Sequence, residues 1–389
     1  MKKFLIWVCL ILSLGVNALA VSLPNGTVSD GQSYAATGDD ESAIDVSGNA
    51  EVTVTGAKIN KLEGSASSAD AASFRGVNAA VRVYDSAALT LSGSTIEASA
   101  PNATGVFAYG GGTVIISDST VDVTGGGAGG VQVAGGGTLI GENLTVTSAS
   151  KAAIRSDRGG GTLVLDGGTY TSTGKNGCPA IYSTADITVK NAVCVSQQSR
   201  AVIIEGKNSV TLENCVLEGN DQSSKEGSVR ANVLLYQSAS GDASVGTSVF
   251  TMIGGQMKCA SGAMFYCTNT SGTINLSGAE LLLSEDETLL IVSEGRWGKE
   301  GKNGGSCVVN AENQALSGKI LVDDISSLAL NLNASGFTGS IASDGKVSVT
   351  LDADSVWTLT ADSYITEFHG SLENVKGDYT LYVNGKAVN

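Results

Sequence analysis

A small residue followed by a branched aliphatic returns down the chain at Ala80-Val81, Gly105-Val106, Gly130-Val131, Ala153-Ile154, Ala180-Ile181 and Ala201-Val202. Behind each copy comes a run in which apolar and polar positions alternate: Leu89-Thr90-Leu91, Val114-Ile115-Ile116, Leu139-Ile140, Leu163-Val164-Leu165, Ile187-Thr188-Val189 and Val210-Thr211-Leu212. A third short run follows a polar turn, at Ile96, Val121-Asp122-Val123, Leu144-Thr145-Val146, Tyr170, Val193 and Leu217. Period two is the mark of a strand with one buried face. Three such strands per unit of roughly two dozen residues, separated by Gly, Asn, Asp and Ser, describe one coil of an all-β parallel solenoid.

One coil cannot bury its inward side chains alone, but stacking coils at the strand spacing makes a continuous interior column of Val, Ile and Leu. Only 3 prolines occur, as a ladder that needs every N–H requires. Aromatics make up 5% of the chain, which fits a narrow interior filled by branched aliphatics. The triplets Gly110-Gly111-Gly112, Gly135-Gly136-Gly137 and Gly159-Gly160-Gly161 precede no amphipathic helix, so they read as corner turns with φ > 0 and not as a phosphate cradle. Later copies stretch, and Lys61 to Arg75, Glu218 to Arg230, Gln237 to Thr247 and Glu294 to Ser306 read as loops projecting from the stack. The organisation expected is a solenoid over residues 42–345 in about a dozen coils. Residues 21–41 serve as an N-terminal cap and 346–389 as closing coils and cap.

Charge and rare residues narrow the chemistry. The net charge of −15 argues against nucleic acid or an anionic membrane as partner. A single histidine, His369, excludes a multi-histidine metal site, and no catalytic residue, metal site or cofactor is assigned. Lys2-Lys3, the apolar run Phe4 to Val16 and Ala18-Leu19-Ala20 form a bacterial-type secretory signal over residues 1–20. The protein is therefore expected to be secreted, periplasmic or on the cell surface, with no transmembrane segment after cleavage. Cleavage would remove Cys9 and leave six cysteines, expected as mostly unpaired, buried thiols.

The aliphatic pattern, with phrases such as Leu89-Thr90-Leu91-Ser92-Gly93-Ser94-Thr95-Ile96, resembles the right-handed parallel β-helix superfamily of pectate lyases, polygalacturonases, autotransporter passengers and bacterial adhesin-like surface proteins. The resemblance covers roughly residues 40 to 310 and supplies the handedness. Val347 to Thr360 and Tyr379 to Gly385 resemble the closing coils of the secreted adhesin-like members. Polygalacturonases resemble one another through Asn-Thr-Asp, Asp-Asp, His-Gly and Arg-Ile-Lys in order. Asp39-Asp40, Asp323-Asp324 and His369-Gly370 are present here, but Asn-Thr-Asp and Arg-Ile-Lys are missing. Arg155, Asp157 and Arg158 come nearest to a pectate-lyase cluster, and they cannot supply a calcium ion with six oxygens.

If the aliphatic of each copy points inward, alternation sends the next residue outward. The outward column then reads Arg82, Phe107, Gln132, Arg155, Tyr182, Ile203, and two residues on Tyr84, Tyr109, Ala134, Asp157, Thr184, Glu205, with Tyr236 as a continuation. Rings and guanidinium groups on a rigid sheet can grip a partner, although strands also carry Tyr and Phe for packing under a loop. Trp297, flanked by Arg296, Lys299 and Lys302, is a second contact, unless it folds onto the stack. The candidate ligand-binding set is Arg82, Tyr84, Phe107, Tyr109, Arg155, Asp157, Tyr182 and Trp297. The function expected is a non-catalytic, adhesin-like protein binding an extracellular glycan or a host or bacterial surface protein. The alternatives are a polysaccharide lyase or glycoside hydrolase of the same fold and a structural matrix protein.

Overall fold

The computed structural model describes residues 21–175, 177–224 and 228–389, so the secretory signal expected over residues 1–20 lies outside the described residues. Each coil lays down three parallel strands, as in Val106–Tyr109, Thr113–Ser117 and Thr120–Val123. The first face makes up most of a fifteen-stranded sheet, which also takes in the last third-face strands, and the second and third faces of the other coils join in one twenty-two-stranded sheet. They join because strands such as Gly137–Ser148 run through the corner between them. Val81, Val106, Val131, Ile154, Ile181 and Val202 stand in register and are fully buried, as alternation required. One inward assignment shifts by a residue: in the third strand of its coil Cys194 is buried and Val193 is exposed. All six cysteines among the described residues are unpaired and buried.

The corner between the second and third faces shows how the chain turns without a break in the ladder. From Gly31 through Gly56, Gly93, Asp118, Asn143, Gly167, Asn191, Asn214, Gly254, Gly278 and Asn313 to Ala334, stacked residues at this corner have φ between 46° and 69°. Glycine, asparagine and aspartate are the residues that enter this region at least cost. Ala334 is the exception.

The ends differ in detail from a simple cap. Val21–Ser22, Val28–Asp30 and Ser33–Ala35 each pair with the following coil, so residues 21–41 form a coil of their own. At the other end Leu381–Val383 turns back on Lys386–Ala387, an antiparallel pair.

The larger correction concerns the polar insertions, which fold back over the first face and do not project. The first contains a short helix, Ala69–Arg75, capped by the Ser68 hydroxyl and by Gly76 in the left-handed region. Gly76 has a second reason to be glycine: a Cβ there would sit 2.6 Å from the Phe107 ring. Asp39 and Asp40, the candidate acid pair, instead hold this insertion by accepting the Ser65 and Ser67 amides, each at 2.7 Å. Asp323 similarly accepts the Glu294 amide at 2.6 Å. His369 is exposed beside Glu367 at 3.6 Å. The second and third faces stay bare over many coils, where Thr95, Thr120, Thr145 and Thr169 stack in register and are exposed.

Candidate functional site

The outward column forms in the register foreseen, with Arg82, Phe107, Gln132, Arg155, Tyr182 and Ile203 side by side. Pointing outward does not make these residues free. Phe107 is completely buried with Ala79 and Ala134 beneath the helical insertion, with half-buried Tyr109 packed against them. The expectation that Phe107 meets a ligand is therefore overturned, because the helix occupies its outer side. Arg82 donates to the Arg75 carbonyl at 2.9 Å and stacks on Tyr84 at 4.0 Å, which ties down the helix C-terminus. These four residues hold the cover in place.

Arg155 and Asp157 form a buried ion pair at 2.7 Å. Gln132 bridges from Asp157 to the Ser73 carbonyl of the helix. Burial works against the Arg155 charge, but Asp157 and the neighbouring Tyr182 hold the guanidinium above its usual range. Beside them Lys151 donates to the Ser73 hydroxyl at 2.6 Å, and burial followed by the Arg155 charge pushes its amine down to about 8. Arg158 lies over the Phe74 ring at 4.2 Å and pairs with Asp242 at 2.6 Å, so it clasps the helix to the loop after Gln237.

Tyr182 and Trp297 come together. The covers leave a pocket of about 170 Å³ over the coils that follow, with Tyr182, Tyr236 and Trp297 as aromatic walls and Ile203 and Leu234 as floor. Arg200, Arg296, Ser223 and Ser228 complete it. Trp297 packs on Tyr236 with ring centres 4.5 Å apart, and the exposed Arg296 guanidinium lies 4.3 Å above the indole. The loop tryptophan thus does fold onto the stack, and in doing so it builds a wall. Beside the pocket, Glu205 is fully committed. Its Oε2 accepts Tyr182 at 2.5 Å and Tyr236 at 2.7 Å, and its Oε1 accepts Ser238. Burial first, and then the neighbouring Tyr236 and Glu205, raises the Tyr182 phenol well above its usual range. Asp221 is similarly occupied, with Arg200 Nε at 3.1 Å and the Ser223 and Ala231 amides on its oxygens.

A family model for the right-handed β-helix region matches residues 42–250, more than half of the 389 residues. The chain belongs to the right-handed β-helix family. No curated protein matches it in sequence. In this β-helix the coils continue past the matched region, to Val375–Lys376, which stacks on Trp357–Thr358 in the third-strand column. Among the described residues no helix is long and apolar enough to cross a membrane.

Sequence reasoning missed Arg200, Leu234, Ser223 and Ser228 as parts of the pocket. Arg200 had a signal: it precedes the recurring Ala201-Val202 pair, at the turn into the first face. The serines had none, since only the fold-back of their loop brings them to the sheet.

Proposed function

We propose that this β-helix is a non-catalytic binding protein acting outside the cytoplasm, which grips an extracellular glycan or surface protein in the pocket walled by Tyr182, Tyr236 and Trp297. The observation that carries the reading is the pocket itself, where three rings and an exposed guanidinium converge over a rigid sheet. Flat aromatic faces with few, fixed polar groups suit a sugar ring or a protruding side chain. The commitment of Glu205 to phenol and hydroxyl donors, and of Asp221 to amide donors and the Arg200 charge, favours binding over acid–base chemistry, which needs a carboxyl group facing the substrate. The leader-like first twenty residues support the extracellular part of the reading.

The test mixes the purified protein with acidic and neutral polysaccharides and follows both by size-exclusion chromatography. A polymer that co-elutes with the protein at unchanged length, and no longer does so with Trp297→Ala, supports the reading. Shortened polymer would replace it with a lyase or hydrolase, and co-elution unaffected by Trp297→Ala would move the site elsewhere.

A further inference from the structure

We propose that the bare C-terminal end of the first face is a docking strip for a basic, aliphatic-containing segment of another polypeptide. The column that runs under the covers continues as Ile291, Leu321 and Ala342 in register. Beyond Ala342 stand Tyr364 and Tyr382, paired and stacked at 4.9 Å with only 8° between their planes. Leu321 is 38% exposed and Tyr364 46% exposed. At the strand spacing, five such rungs extend about 20 Å.

One flank of the strip is acidic. Two residues along each strand from the apolar rungs lie Ser293, Asp323 and Asp344, and they line an open groove with Ile291, Leu321 and Tyr364. Asp323 Oδ2 takes the Glu294 amide, whereas its Oδ1 is buried with no partner. On the other flank Lys319 and Asp362 carry opposite charges. An aliphatic and aromatic floor beside unneutralised carboxylates suits lysine and arginine, which lay an apolar stem on such a surface and set the charged head against acids or a ring. A second copy of this chain is disfavoured by its own charge of −15. The aliphatic rungs favour a peptide over a cationic sugar. This strip is separate from the pocket at Trp297 and does not depend on what binds there.

The test titrates the full-length protein calorimetrically with a synthetic peptide of alternating lysine and leucine, and with versions carrying glutamate or serine in place of lysine. The lysine–leucine peptide alone is expected to bind, and Asp323→Asn with Asp344→Asn weakens it by about tenfold or more. Leu321→Ser with Tyr364→Ser does the same. As control, Glu97→Gln with Asp122→Asn removes two charges from the third face, and affinity stays within about twofold. Thermal unfolding confirms that each variant is folded. An equal loss in the control pair, binding of the serine peptide as well, no binding at all, or binding of a glucosamine oligomer in place of the peptide would each overturn the proposal.

Discussion

Between Arg82 and Tyr266 the outward column of the first face lies beneath folded-back insertions, Ile291 packs at the edge of that cover, and between Leu321 and Tyr382 the same column is open to solvent. The stacking of coils carries on across the two regions, with a bulge between Thr288 and Leu290 and a separate small sheet at Tyr364 and Tyr382, and the main difference is the length of the loops between strands. Where insertions are long, outward side chains become a second, thinner core: Phe107 and Tyr266 are as buried as interior valines. Ions there become paired and hydrogen-bonded, as Arg155 and Asp157 are. Where loops are short, the same positions carry exposed Leu321 and Tyr364. In a solenoid the pleat decides which way a side chain points, and the loops decide what it meets there.

That comparison breaks most visibly at Phe107. Phe107→Ala should lose about 3–4 kcal/mol, as for a core phenylalanine, whereas Tyr364→Ala on the bare stretch should lose less than about 1 kcal/mol. Denaturant unfolding followed by two spectroscopic probes checks both, since a long array need not unfold in one step. Next in size, Asp157→Ala strands the Arg155 charge beneath the cover and should cost about 3 kcal/mol. The same substitution at exposed Asp344 should leave stability within about 0.5 kcal/mol.

A smaller effect carries a pH signature. Burial lowers the Lys151 amine from 10.5 to about 8 in the folded protein, so the unfolded chain binds the proton more tightly. The cost is present in full below about pH 8, shrinks as pH rises, and is gone above about 10.5. Lys151→Met should therefore stabilise the protein at pH 7 by about 1–2 kcal/mol, and this advantage should fade across that window. A constant difference between pH 7 and 11 would contradict it. Smallest of all, Ala334→Asn restores the corner residue used elsewhere in the stack and should add about 0.5–1 kcal/mol to stability. A loss measured by the same unfolding assay would remove the left-handed corner as its cause.

The interior was legible because burial in a strand repeats every second residue, and Val81 through Val202 repeat it coil after coil. The outward register from Arg82 to Ile203 followed by geometry alone. The cover was not legible. Ala69–Arg75 spans two turns rich in small residues, too short to show a helical period. Nothing local in Trp297 names Tyr236 as its partner, because that contact depends on how the loop after Val292 folds back. The pocket belongs to this second layer, so Tyr182 and Trp297 could be chosen as candidates without being recognised as neighbours. Phe107 was misjudged for the same reason.

The most direct test of the central claim, that a gap in the cover is the binding site, is acrylamide quenching of tryptophan fluorescence. Trp357 is fully buried and shielded, whereas Trp297 is half-exposed at the pocket. With a co-eluting polysaccharide or surface protein present, the quenchable fraction should fall sharply, and Trp297→Phe should abolish the change. Quenching of Trp297 that is the same with and without bound partner would contradict the account.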